Sequence, residues 1–123
     1  MIEINNEYQN NGITPKLCDL LKKFAEKIID NDNKDIFWND SAKNLIQILI
    51  LCNLNDKKEV SITNLVENSQ EIEKTKNMIE KNIEELKKVP ELKEILIGEM
   101  IISYEKTYVS VMEIIHNNLI KYN

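Results

Sequence analysis

Apolar residues recur at intervals of three and four along most of the chain, the spacing that gathers them on one side of an α-helix. Leu17, Leu20, Leu21, Phe24, Ala25 and Ile28 form the first such stripe. Thr14-Pro15 ahead of it supplies a start: a threonine hydroxyl can accept from an orphan backbone N–H, and proline at the first helical position loses no hydrogen bond. After a turn at 30–34 (D-N-D-N-K), a second helix is expected from about 35–37 to 53, carrying Phe37, Trp38, Ala42, Leu45, Ile46, Leu49 and Ile50. Ile48 and Leu51 make it apolar on most sides, so it reads as central. A charged connection over 53–60 leads to Ser61, which can cap a short third helix with Ile62, Leu65 and Val66 inside.

The spacing predicts a fourth helix over 69–89, with Ile72, Ile79, Ile83 and Leu86 opposite a dense charged face on which Glu84 precedes Lys88 in the favourable i,i+4 order. Pro90 ends it and opens a fifth, with an irregularity at Gly98 and a stripe of Ile101, Tyr104, Tyr108, Val111, Ile115 and Leu119. Residues 1–13 are polar, rich in asparagine and without a clear period; they read as a lead-in segment tied down only in part. The expectation is one all-α domain over 14–123, a compact bundle of about five helices with no sheet.

Composition narrows this. A chain of 123 residues fits one core, and 42% hydrophobic with 30% charged residues suits a folded domain. Two glycines and two prolines are too few for the turns of an all-β protein. The longest apolar run, from Leu45 to Cys52 and interrupted by Gln47, is far short of the about 20 residues that cross a bilayer. The polar N-terminus does not resemble a secretory signal, and a cytoplasmic setting follows. Cys18 and Cys52 lie on apolar stripes and read as reduced core thiols.

Charge and chemistry-bearing residues point away from catalysis. Every basic residue is lysine and the net charge is −5, which disfavours nucleic-acid binding across the domain. Two isolated glycines make no phosphate loop, and one histidine, His116, with two distant cysteines makes no zinc site. The carboxylate pairs Glu71/Glu73 and Glu84/Glu85 read as solvated surface, and any serine or threonine nucleophile would have His116 as its only histidine partner. Lys22, Lys23 and Lys27, like Lys87 and Lys88, are basic groups diluted by nearby acids. Tyr104 and Tyr108 read as core, and Phe37-Trp38 as an aromatic anchor. No cofactor, no metal and no enzymatic activity is expected of the chain itself.

Phe37-Trp38-Asn39-Asp40-Ser41-Ala42-Lys43-Asn44-Leu45-Ile46-Gln47-Ile48-Leu49-Ile50 resembles the F-W-x-x-x-A-x-x-L-L-x-x-L-I signature of the TraG/TraD-like coupling ATPases of conjugation and type IV secretion. Lys106-Thr107-Tyr108-Val109-Ser110-Val111 resembles the K-T-x-x-S-I element that follows in that family. The resemblance spans about 17–119, with the middle alike only in helical character. It implies the all-alpha domain of a membrane-anchored, RecA-like hexameric ATPase. It further implies a cytoplasmic substrate-recognition role without direct membrane contact, in which the domain meets a relaxase, a relaxosome accessory protein or, weakly, DNA. The remainder of the parent ATPase would hydrolyse ATP. Phe37, Trp38, Ala42, Lys106, Thr107 and Ser110 match signature positions, expected to be structural. The variable middle offers Lys57, Lys58, Lys74, Glu84, Lys87 and Lys88 as partner-contact candidates. A freestanding helical adaptor is the competing expectation.

Overall fold

The computed structural model describes residues 1–29 and 35–122; the turn expected at 30–34 lies outside the described residues. Among them are seven α-helices and no strand. They are α1 (Ile2–Asn11), α2 (Pro15–Ile28), α3 (Ile36–Lys57), α4 (Ile62–Gln70), α5 (Ile72–Leu86), α6 (Lys93–Leu96) and α7 (Glu105–Tyr122). Two 3-10 segments, Pro90–Leu92 and Ile97–Ser103, flank α6. The all-α expectation holds, with seven helices in place of about five.

One of the additional helices is α1, where a lead-in segment was expected. Its apolar contribution is small, Ile4 buried and Tyr8 packed on the core, and polar side chains attach it instead. The Asn5 amide pairs with both backbone groups of Val60, donating to its carbonyl at 2.8 Å and accepting from its N–H at 2.9 Å. Glu7 is buried, accepts from Thr14 Oγ1 at 2.7 Å and Asn11 Nδ2 at 3.2 Å, and lies 3.8 Å from Lys16 Nζ. Thr14 also accepts from the Leu17 N–H at 3.0 Å, the expected helix cap. Gly12, at φ 72°, takes the left-handed turn between the two helices at no steric cost.

The central helix is α3, fully or nearly fully buried from Leu45 through Leu54. Asp35 caps it by accepting from the Phe37 N–H at 3.0 Å. The helix outruns its expected end at 53 because Asn53 is itself internal, donating to the Leu49 carbonyl and to Asn68 Oδ1, each at 2.8 Å. Lys58, in the left-handed conformation at φ 66°, closes the helix with its N–H on the Leu54 carbonyl at 2.9 Å.

The helix expected over 69–89 is divided differently. Ser61 caps α4 in a reciprocal box with Asn64, and the chain turns at Glu71 (ψ 69°) before α5 begins. Thr75 Oγ1 clamps that corner by donating to the Asn68 carbonyl at 2.7 Å. The tail also departs from expectation. Tyr104 stands outside α7 and is 61% exposed, whereas Tyr108, Val111, Met112, Ile115 and Leu119 are buried. Tyr104 continues the stripe in spacing only, because the chain leaves the helical path between the 3-10 segment and α7. Tyr108 donates to the Ile72 carbonyl at 2.7 Å, and burial pushes its phenol pKa up.

Candidate protein-docking site

The two signature stretches, about seventy positions apart, meet where α3 and the start of α7 lie side by side. Phe37 and Trp38 stack edge to face, 5.2 Å between centroids and 80° between planes. Trp38 is half-buried and shares a shallow hollow with Ser110, Glu113 and Ile114. Ala42 is wholly buried in the core. Phe37, expected as a core anchor, is instead 54% exposed; as the second residue of α3 it stands over the neighbouring cleft. Thr107 lines that cleft as well, while Lys106 is exposed.

The cleft has a volume of about 410 Å³ and runs between the first turns of α3, the 3-10 segment Ile97–Ser103 and the start of α7. Phe37, Asp40, Asn44, Ile97, Met100 and Tyr104 are its principal walls. Ile97 is 63% exposed and Met100 57%. Their segment is held down by its other face, Ile101 and Ile102, both buried. Residues i and i+3 eclipse one another on a 3-10 helix, so Ile97 and Met100 stand in one outward row. Gly98 sets the depth of the cleft floor: a Cβ there would come within 2.6 Å of Asn44 Cγ.

Sequence reasoning missed Ile97 and Met100. The available signal was a short stretch apolar on every side, Ile95, Leu96, Ile97, Met100, Ile101 and Ile102, in a segment with too few turns to be central.

The partner-contact candidates do not form one site. Lys57 and Lys58 stand at the end of α3, where Lys58 Nζ donates to the Asn55 carbonyl at 3.2 Å, and Lys74 pairs with Glu71 at 3.4 Å. Lys87 reaches Glu99 at 2.7 Å and Glu84 at 3.8 Å, so the Glu84 partner is Lys87 and not the expected Lys88, which is exposed. Those contacts with Glu99 and Glu84 raise the Lys87 pKa.

Ser69 Oγ lies 2.9 Å from His116 Nδ1, joining α4 to α7. The serine proton goes to the Val66 carbonyl at 2.7 Å, which leaves Oγ to accept from the imidazole N–H. A hydroxyl committed in this way, on a residue only 4% exposed, fastens two helices. Cys52 is buried and its thiol is pushed up to about 12 by desolvation; Cys18 is half-buried, raised for the same reason, and both are free thiols. Among the described residues no group of three or more metal-ligating side chains converges, and no helix is long and apolar enough to cross a membrane. Comparison with known protein families, curated proteins and solved structures finds no match for this chain.

Proposed function

We propose that this chain is a protein-recognition module, the all-alpha domain of a TraG/TraD-like coupling ATPase. It would receive a relaxase or relaxosome accessory protein for transfer, while the remainder of the parent chain hydrolyses ATP. The observation that carries the reading is the meeting of 37–42 with 106–110: the positions that resemble the family signature come together in space and border an exposed apolar cleft. Contiguous apolar surface on a domain otherwise rich in charge is a recognition feature. Direct DNA contact ranks lower, because a net charge of −5 opposes the phosphate backbone and leaves at best weak, salt-sensitive binding.

The test is retention of the cognate relaxase and accessory proteins on the immobilised domain. Binding of at least one is expected, and failure of all of them refutes the reading. The same cleft suits a freestanding helical adaptor for a partner helix. A reading frame that continues on both sides into Walker-containing sequence removes that alternative.

A further inference from the structure

We propose that the cleft between α3, the Ile97–Ser103 segment and α7 takes a basic amphipathic helix of a partner protein. The inference rests on the recognition reading above and names the chemistry recognised. Its apolar half comes from the outward row of Ile97 and Met100 with Tyr104 and Phe37 opposite, four large side chains each more than half exposed. Helix-in-groove recognition uses such a strip, filling it with apolar side chains spaced i, i+3 or i+4 and i+7.

The charge around the strip selects the partner's polar face. Asp40, in the first turns of α3, lies in the cleft wall. On the far side Met100 is shared with a second hollow, whose lining carries Glu80, Glu84 and Glu99 against the single lysine Lys76. Lys87 lies beyond it and is already committed to Glu84 and Glu99. Since Glu84 and Glu99 are paired with Lys87, the carboxylates left to border the strip, among the described residues, are Asp40 on the α3 side and Glu80 across Met100. An acidic helix would bring like charge against them, whereas lysine or arginine flanking an apolar face would pair with them, so electrostatics discriminates between the two. A second copy of this chain, itself at −5, would bring the same carboxylates into opposition.

The experiment uses the full 123-residue chain and a labelled peptide of about 18 residues, enough for several helical turns, with leucine at i, i+3/i+4 and i+7 and lysine elsewhere. A matched peptide carries glutamate in place of lysine. The lysine peptide should bind in fluorescence anisotropy and the glutamate peptide should not. Met100→Asp and Ile97→Asp, exposed positions where the fold tolerates charge, should each weaken binding roughly tenfold or more, as loss of a central apolar contact does. Asp40→Asn with Glu80→Gln should weaken it less and flatten its salt dependence.

No binding by the lysine peptide, equal binding by the glutamate peptide, or indifference to Met100→Asp would overturn the proposal. So would a dimer of the chain that Met100→Asp disperses in sedimentation. If the lysine peptide binds at this cleft while no relaxosome protein is retained, the coupling-ATPase reading fails and this one stands. If relaxase retention survives Met100→Asp, the reverse holds.

Discussion

Phe37 and Trp38 are adjacent aromatics, yet they do different work: Trp38 packs on the core, and Phe37 faces solvent over the cleft. Truncating a fully buried aromatic costs about 3–5 kcal/mol, and the half-buried Trp38 stands to lose part of that. Trp38→Ala should therefore lower the melting temperature clearly, and Phe37→Ala should move it little; equal losses in a thermal melt would contradict the assignment. Lys87→Ala should also be mild, because its ion pairs are solvated and screened. Gly98 makes a sharper case. A methyl group there meets the Asn44 side chain, so Gly98→Ala should cost about 1–3 kcal/mol, the usual penalty of overpacking. Asn44→Ala in the same chain should return most of that in urea titrations, and purely additive losses would show that the clash is not the cause. Glu7 carries a pH dependence. The Thr14 hydroxyl bond, followed by Asn11 and Lys16, holds its carboxyl below the ordinary value against the opposing effect of burial. A depressed folded-state pKa contributes stability that is complete above the unfolded value, about 4.3, and is lost as pH falls through the lower folded value. Glu7→Gln should thus be less stable than the parent near neutrality, with the gap closing in acid. A gap that widens below about pH 4 would reverse the sign of this linkage.

The caps of α2 and α4 were legible because they are local: the Thr14 and Ser61 hydroxyls each accept from an N–H three positions on. What was not legible depends on partners distant in sequence. Residues 2–11 lack a strong apolar period, and their attachment runs through Asn5 to Val60, fifty-five positions on, and through Glu7 to Thr14. No periodicity reports an amide that imitates a backbone pairing. The break at Glu71 escaped for a similar reason, since Thr75 and Asn68 hold a corner inside a run whose spacing continues across it. A test of α1 follows. Val60 is buried, so Asn5→Ala strands both its N–H and its carbonyl, and the loss should be about 1–3 kcal/mol. The exposed neighbour Asn6 is the control: Asn6→Ala should be neutral or slightly stabilising through helix propensity. Similar losses at both positions in chemical denaturation would mean that α1 is a frayed appendage after all.

At the scale of the molecule, the helix that reads as greasiest is the one around which the others pack. α3 touches α2, α4, α5, α6 and α7 as well as the 3-10 segment Ile97–Ser103, so its burial follows directly from the apolar run at 45–54. The docking cleft was less legible, because the sequence marks a residue as apolar without saying whether a neighbour covers it. Ile101 and Ile97 look alike in the chain, and only the packing of their segment separates the covered residue from the bare one. The central position of α3 has a measurable consequence. Amide exchange requires an opening, and an amide in Leu45–Leu54 can open locally only if several packed helices part together, which approaches global unfolding. For a domain of this size the transition should be two-state. Hydrogen exchange should therefore give the Leu45–Leu54 amides one shared free energy equal to that of global unfolding, shifted one for one by Trp38→Ala. The segment Ile97–Ser103, bare on one face and short, should exchange at lower free energy. If a basic helical peptide occupies the cleft, protection should rise in Ile97–Ser103 and in the first turns of α3 and α7, and in the Leu45–Leu54 amides only by the global stabilisation that binding confers. A separate, faster class of amides inside 45–54 would show that the centre opens without the rest, and would refute the account of α3 as the shared core.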